Sequence, residues 1–206
     1  MYLILAILAI VILVMKFMTD GTDVMVFLYG VFIVIVFSTV PFGNCSRADA
    51  GFLQMLPATT WQRVMGRFLF GLSLLLIGSG ISIGCMVLYQ LYAGIQVSLM
   101  APPFYMMIVA IGMLIITLQY IILYVVGESR GAQFLSVVRM IPGMSFFFAS
   151  LKLIGAVQEN PNTAGRLLEM AGNRLDVIGW GSIGVALAVM AAGVIVCVKV
   201  TDQRDY

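Results

Sequence analysis

Histidine is absent from the 206 residues, charged side chains make up only 10% of them, and cysteine occurs three times. Without imidazole there is no histidine metal ligand and no histidine general base, which excludes HExxH zinc sites and Ser-His nucleophile pairs. Cys45, Cys85 and Cys197 form no CxxC pair, and two of them lie in apolar runs, so neither a disulfide framework nor a zinc site is expected. No GxxxxGK[ST] segment is present, so the chain does not bind ATP through a P-loop. The net charge of +2, without a polybasic run, argues against nucleic acid as a partner. The nine acidic residues are scattered, and the close pairs Asp20/Asp23 and Asp202/Asp205 sit at polar ends where solvated charge is the ordinary state. Asp20-Gly21-Thr22-Asp23 resembles a fragment of the aspartate motif of membrane phosphotransferases, but the further aspartates and the arginine of that motif do not follow. The chain is therefore expected to be no enzyme and to bind no metal or cofactor itself.

What is present is apolar: 62% of the residues are hydrophobic. A soluble domain of this length carries far more charge. A bilayer core takes about 20 apolar residues per helix, and the runs place spans near 2–17, 24–40, 68–92, 102–126, 134–157 and 177–198. They are continuous rather than alternating, which excludes a β-barrel. In lipid each helix satisfies its own backbone. The reading is an all-α integral membrane protein, one domain over 1–206, folded as a bundle of six transmembrane helices. Lys16 follows most of the first apolar run and no basic region precedes it, so this run reads as a retained helix rather than a signal peptide.

Six spans put both termini on one side. If that side is the cytoplasm, the inner segments hold Arg47, Arg63, Arg67, Arg130, Arg139, Lys199 and Arg204, and the outer ones hold Lys16, Lys152, Arg166 and Arg174. The positive-inside rule favours this orientation, and the uncharged connection 93–101 is easy to translocate. Arg139 and Lys152 both fall in the fifth span, which Pro142-Gly143 interrupts. They either lie near the two interfaces, snorkelling outward, or line a polar path for substrate.

Small residues recur at four-residue spacing in Gly80-x-x-x-Gly84 and in Gly184, Ala188 and Ala192, where close helix packing within the bundle is expected. Gln90, Thr117 and Gln119 are expected to hydrogen-bond between helices. Tyr89, Tyr92, Tyr105, Tyr124 and Trp180, toward span ends, read as interfacial anchors. The 15 methionines supply adaptable apolar surface.

One polar break differs from the rest. The segment Pro41–Arg67 holds Asn44-Cys45-Ser46-Arg47-Ala48-Asp49 and then Leu56-Pro57-Ala58-Thr59-Thr60-Trp61-Gln62-Arg63. Leu56-Pro57 breaks the chain, and Thr59 or Thr60 can N-cap a helix that starts near Trp61 and runs on into the third span. Arg63 and Arg67, four apart, then share a helix face. Upstream, 48–55 suits a short helix with Phe52, Leu53 and Met55 as its apolar side. Such a helix–break–helix is either an interfacial linker with Trp61 at headgroup level or a docking knob for a cytoplasmic partner.

Ser46, Arg47, Asp49, Phe52, Leu56-Pro57, Thr59-Thr60, Arg63-Val64 and Arg67-Phe68, together with the six-span layout, the turn Gly127–Gln133 and the tail Lys199–Tyr206, resemble the permease subunits of ABC-2 type transporters, in particular the small six-span bacterial ones. The resemblance implies a multi-pass protein of the bacterial cytoplasmic (inner) membrane. It further implies an exporter subunit that forms a homodimer or a heterodimer with a similar permease and recruits separate ATPase subunits, which hold the ATP and Mg. It also implies that the loop 41–67 is the ATPase-coupling element, carried by Arg47, Asp49, Phe52, Leu56, Pro57, Thr59, Trp61, Arg63 and Arg67. Two departures stand out. Trp61-Gln62 occupies a place where the family commonly has a basic residue, and the family's amphipathic helix before span one has no counterpart after Met1. A membrane scaffold without transport shares the same layout, whereas a secondary transporter would call for repeat symmetry and midplane ionisable groups.

Overall fold

The computed structural model describes residues 23–43, 59–92, 102–126, 137–138, 140–152 and 174–203, and the secondary structure among them is all helical. In chain order the helices are α1 (Asp23–Phe37), α2 (Val40–Gly43), α3 (Thr60–Tyr92), α4 (Pro102–Val126), α5 (140–152) and α6 (Leu175–Asp202). Three of them, α3, α4 and α6, are long and apolar enough to cross a membrane, while the apolar part of α1 is the shorter Val26–Phe37. The expected first span, 2–17, lies outside the described residues.

Side-chain contacts fix how the helices run. At one end Phe27 of α1 meets Tyr105 of α4 edge-on, with ring centroids 4.8 Å apart, and Gly179 of α6 lies against Pro103. At the other end Phe42 meets Tyr124 at 5.4 Å, and Gly193 lies against Thr117 and Phe68. Thus α1, α4 and α6 run in one direction and α3 in the opposite one. α5 is antiparallel to α1: Val138, ahead of it, accepts a hydrogen bond from Gln119, Gly143 contacts Phe32 and Val36, and Phe147 stacks on Tyr29 at 4.9 Å. Pro142-Gly143 lies inside the helical stretch, and the missing Cβ of Gly143 lets α1 approach.

The ends of the helices follow from local chemistry. Pro41 has no N–H for the carbonyl four residues back. In the same turn the Ser38 and Thr39 hydroxyls donate to the carbonyls of Ile35 (2.8 Å) and Val36 (3.2 Å), so the close of α1 is bonded in part by its own side chains. The chain then re-forms one helical turn at α2. α3 has 33 residues, roughly 50 Å at 1.5 Å per residue, which exceeds the ~30 Å of bilayer hydrocarbon. The polar lead Thr60–Arg67, ahead of the apolar stretch that starts at Phe68, supplies about 12 Å of that excess.

Burial is strongest where α1, α3 and α4 meet. Phe27, Val31, Ile35, Phe68, Leu75, Met86 and Tyr120 are almost completely covered. Gly112 makes this crossing possible, since a Cβ there would stand 3.1 Å from Val31 and 3.2 Å from Leu75. α6 buries only the narrow stripe Gly179, Ala186, Gly193, Val194 and Cys197. The first three recur every seven residues and face α4, whose Pro103 and Thr117 would stand 3.0 Å and 2.8 Å from a Cβ at Gly179 and Gly193.

Several expectations about packing are corrected here. The stripe Gly184, Ala188 and Ala192 points away from the described bundle. No described atom lies within 4 Å of a Cβ placed at Gly80, Gly84 or Gly184. Of the expected anchors, Tyr92 and Trp180 are exposed, but Tyr105 and Tyr124 are buried within the bundle. Gln119 does bond between helices. Thr117 does not: its hydroxyl returns to the Met113 carbonyl of its own helix at 2.8 Å. Gln90 is buried.

Candidate functional site

The lead into α3 is fixed by a reciprocal cap. The Thr59 N–H donates to Gln62 Oε1 at 3.0 Å, and the Gln62 N–H donates to Thr59 Oγ1 at 3.3 Å. The Arg63 N–H closes the first turn on the Thr59 carbonyl at 3.1 Å. Threonine followed three residues later by glutamine is the sequence form of a capping box, which satisfies two orphan donors at once. Of the two threonines open as caps, Thr59 is the one used, and the helix starts at Thr60. Gln62 has a local role as the return half of the box. The cap leaves Trp61 half exposed and turns Gln62 and Arg63 outward.

One turn later Arg67 is turned the other way. Its guanidinium carbon sits 4.6 Å above the Phe42 ring centroid and 5.5 Å from that of Tyr124, and Nη1 donates to the Tyr124 hydroxyl at 3.3 Å. Phe42 and Tyr124 are both buried. Arg67 itself stays partly exposed, and a guanidinium held against two aromatic faces in such a place contributes about 1 kcal/mol. Arg63 and Arg67 therefore do not act as one exposed basic face.

Beneath this clamp lies an aromatic and polar layer. Tyr120 is fully buried between Phe42 (5.1 Å, tilted) and Phe68 (5.1 Å, edge-on). Its hydroxyl donates to the Ser38 carbonyl at 2.7 Å. Gly71 faces it so closely that a Cβ would stand 2.7 Å from that hydroxyl oxygen. Next to Tyr120, the Gln119 amide donates to the Val138 carbonyl at 3.0 Å, and Gln119 Oε1, 3.4 Å from the Ser38 hydroxyl, shares that group's single proton with the Ile35 carbonyl. Among the described residues no buried side-chain nitrogen or oxygen lacks a hydrogen-bond partner. Buried networks satisfied in this way hold a single arrangement.

In the chain, 44–58 joins α2 to the start of α3. Phe42 at its start and Arg67 beyond its end meet on Tyr124 of α4. The described side chains there offer an outward indole and guanidinium on a helix start, joined to the core one turn later.

Of the residues assigned to the loop from sequence, Thr59, Trp61, Arg63 and Arg67 fall in this arrangement. Arg47, Asp49, Phe52, Leu56 and Pro57 lie outside the described residues. So does Arg139. Lys152 is exposed at the last residue of α5, toward the opposite end of the bundle from Arg67. Sequence reading missed Ser38, Phe42 and Tyr120, and it placed Tyr124 at the lipid interface. The available signal was Tyr120-x-x-x-Tyr124, two aromatics four apart on one face of α4.

Neither a curated protein nor a solved structure matches the chain. The sequence profile of one family, described as "ABC-2 family transporter protein", matches residues 1–201, nearly the whole of it, and the helical membrane fold agrees with that match; the chain belongs to the ABC-2 transporter family.

Proposed function

We propose that this chain is the permease subunit of an ABC-2 exporter of a bacterial cytoplasmic membrane, with six spans, both termini inside, and a homodimeric or heterodimeric partner. It recruits separate ATPase subunits, which hold ATP and Mg and perform the hydrolysis. Family membership supports the transporter part. The coupling part rests on one observation: the capped start of α3 presents Trp61 and Arg63 outward, while Arg67, one turn on, is locked to Phe42 and Tyr124. A push on the outward turn is then passed to α4 and to the end of α1 through packed contacts, which behave as discrete arrangements rather than soft springs. ATP-driven movement of the partner alternates the access of the path between the two faces.

Co-purification with the candidate ATPase tests this reading, comparing the native chain with the double variant Leu56→Asp/Arg63→Glu. The variant is expected to lose most of the associated ATPase and of the coupled hydrolysis. Unchanged association and hydrolysis would remove the loop from this role.

A further inference from the structure

The outward turn of α3 and the last turn of α6 leave a groove between them, which shares Trp61 with the coupling surface but is otherwise formed by α6. It has a volume of about 390 Å³ and is lined by Trp61, Ile195, Val198, Lys199, Asp202 and Gln203. Its two sides differ in chemistry. Ile195 and Val198 belong to the apolar body of α6, and Ile195 is 60% exposed. Lys199, Asp202 and Gln203 are the polar close of the same helix, and Trp61 stands across from them. The groove therefore crosses the boundary between hydrocarbon and headgroups. A half-exposed indole there presents an apolar face and one N–H donor, the pairing that places tryptophan at bilayer interfaces.

The charges select the occupant. The rim carries one ammonium (Lys199), one carboxylate (Asp202) and one amide (Gln203), a lining with no net charge. A purely anionic headgroup satisfies Lys199 but meets Asp202 as a like charge. A headgroup with a phosphate and a primary ammonium satisfies both: phosphate toward Lys199 and the Trp61 N–H, ammonium toward Asp202. A quaternary ammonium has the charge but no N–H to donate to the carboxylate. The apolar wall formed by Ile195 and Val198 calls for an acyl chain beneath the headgroup.

We infer that the groove between Trp61 and Lys199/Asp202 is a binding site for a phospholipid of the phosphoethanolamine class. The site depends on the chain's place in the membrane and not on the ATPase-coupling reading, so either can fail alone.

The sequence has two tryptophans, and Trp180 lies near the other end of α6, so Trp180→Phe leaves Trp61 as the sole reporter. The full chain is placed in phosphatidylcholine nanodiscs doped with equal fractions of acyl-brominated phosphatidylethanolamine, phosphatidylcholine or phosphatidylglycerol, and quenching of Trp61 is measured. Brominated phosphatidylethanolamine is expected to occupy the site with about fivefold preference over phosphatidylcholine, a modest factor because partly exposed ion pairs are weak. Lys199→Gln and Asp202→Asn, both at exposed positions, should each bring that preference close to one. Excess soluble phosphoethanolamine should leave the quenching in place. Equal quenching by all three lipids means ordinary annular lipid and overturns the proposal. So does stronger quenching by phosphatidylglycerol, or displacement by soluble phosphoethanolamine, which would make the groove a site for free phosphate esters.

Discussion

Arg67 donates to the Tyr124 hydroxyl at 3.3 Å while its guanidinium lies over Phe42, and this joins the first turns of α3 to the last turn of α4. The arrangement uses the planar fork of arginine twice, once as a donor and once as a stacked cation. Lysine keeps the charge but neither reaches both partners nor stacks as a plane. We expect Arg67→Ala to lower unfolding stability in detergent by about 2 kcal/mol, and Arg67→Lys by about 1 kcal/mol. Tyr124→Phe removes only the hydrogen bond and should cost about 1 kcal/mol. Because the residues touch, the double variant Arg67→Ala/Tyr124→Phe should fall short of the sum of the single effects. Additive losses would show that the contact does not exist in the membrane protein.

Gly71 gives a second test of the same layer. A methyl group at this position collides with the Tyr120 hydroxyl, 2.7 Å away. An exposed tyrosine would swing aside at little cost, but this ring is packed between Phe42 and Phe68 and bonded to the Ser38 carbonyl. Gly71→Ala should therefore destabilise by about 1–3 kcal/mol, the range for overpacking a tight core. Gly80→Ala on the open side of the same helix should be neutral or slightly stabilising, since alanine is the better helix former. Thermal unfolding of the two variants, followed side by side in detergent, separates them.

The two small-residue stripes of α6 can be compared in the same way. Gly193 meets Thr117 at 2.8 Å from its would-be Cβ, whereas Gly184 has no described atom within 4 Å. Helices in lipid associate through close packing rather than through hydrophobic burial. Gly193→Ala should thus pry α6 from α4 and lower the thermal midpoint, while Gly184→Ala leaves the fold of the single chain intact. Crosslinking between cysteines engineered at Thr117 and Val194 should weaken in the first variant and persist in the second.

These comparisons also mark where the sequence was informative. Composition placed the chain in a membrane and apolar run length located the long helices, because both depend on sums over many residues. The cap at Thr59 was readable because its partner, Gln62, is three residues away. The inward turn of Arg67 was not. Arg63 and Arg67 are only roughly 40° apart around an ideal helix, so spacing put them on one face. What separates them is Phe42 and Tyr124, distant in sequence and brought in by tertiary packing. The same holds for α6, where periodicity offers two small-residue stripes and only the position of α4 decides that Gly179, Ala186 and Gly193 face it. Gln119 read correctly as an interhelical donor because a buried amide in lipid has few other choices, but the Val138 carbonyl as its acceptor was not foreseeable.

Orientation in the membrane yields the remaining prediction. The contacts place the start of α3 and the close of α6 at one end, and the start of α6 at the other. If the proposed topology holds, Arg63 faces the cytoplasm and Asp176 the opposite side, as the excess of arginine and lysine around the first end favours. Both residues are exposed, so each tolerates a reporter. In a background with Cys45, Cys85 and Cys197 replaced by alanine, Asp176→Cys should react with a membrane-impermeant maleimide on intact cells. Arg63→Cys should react only after the membrane is opened or in inverted vesicles. The reverse pattern would put Trp61 and Arg63 out of reach of any cytoplasmic ATPase and would end the coupling proposal, while leaving the packing of Arg67 on Tyr124 untouched.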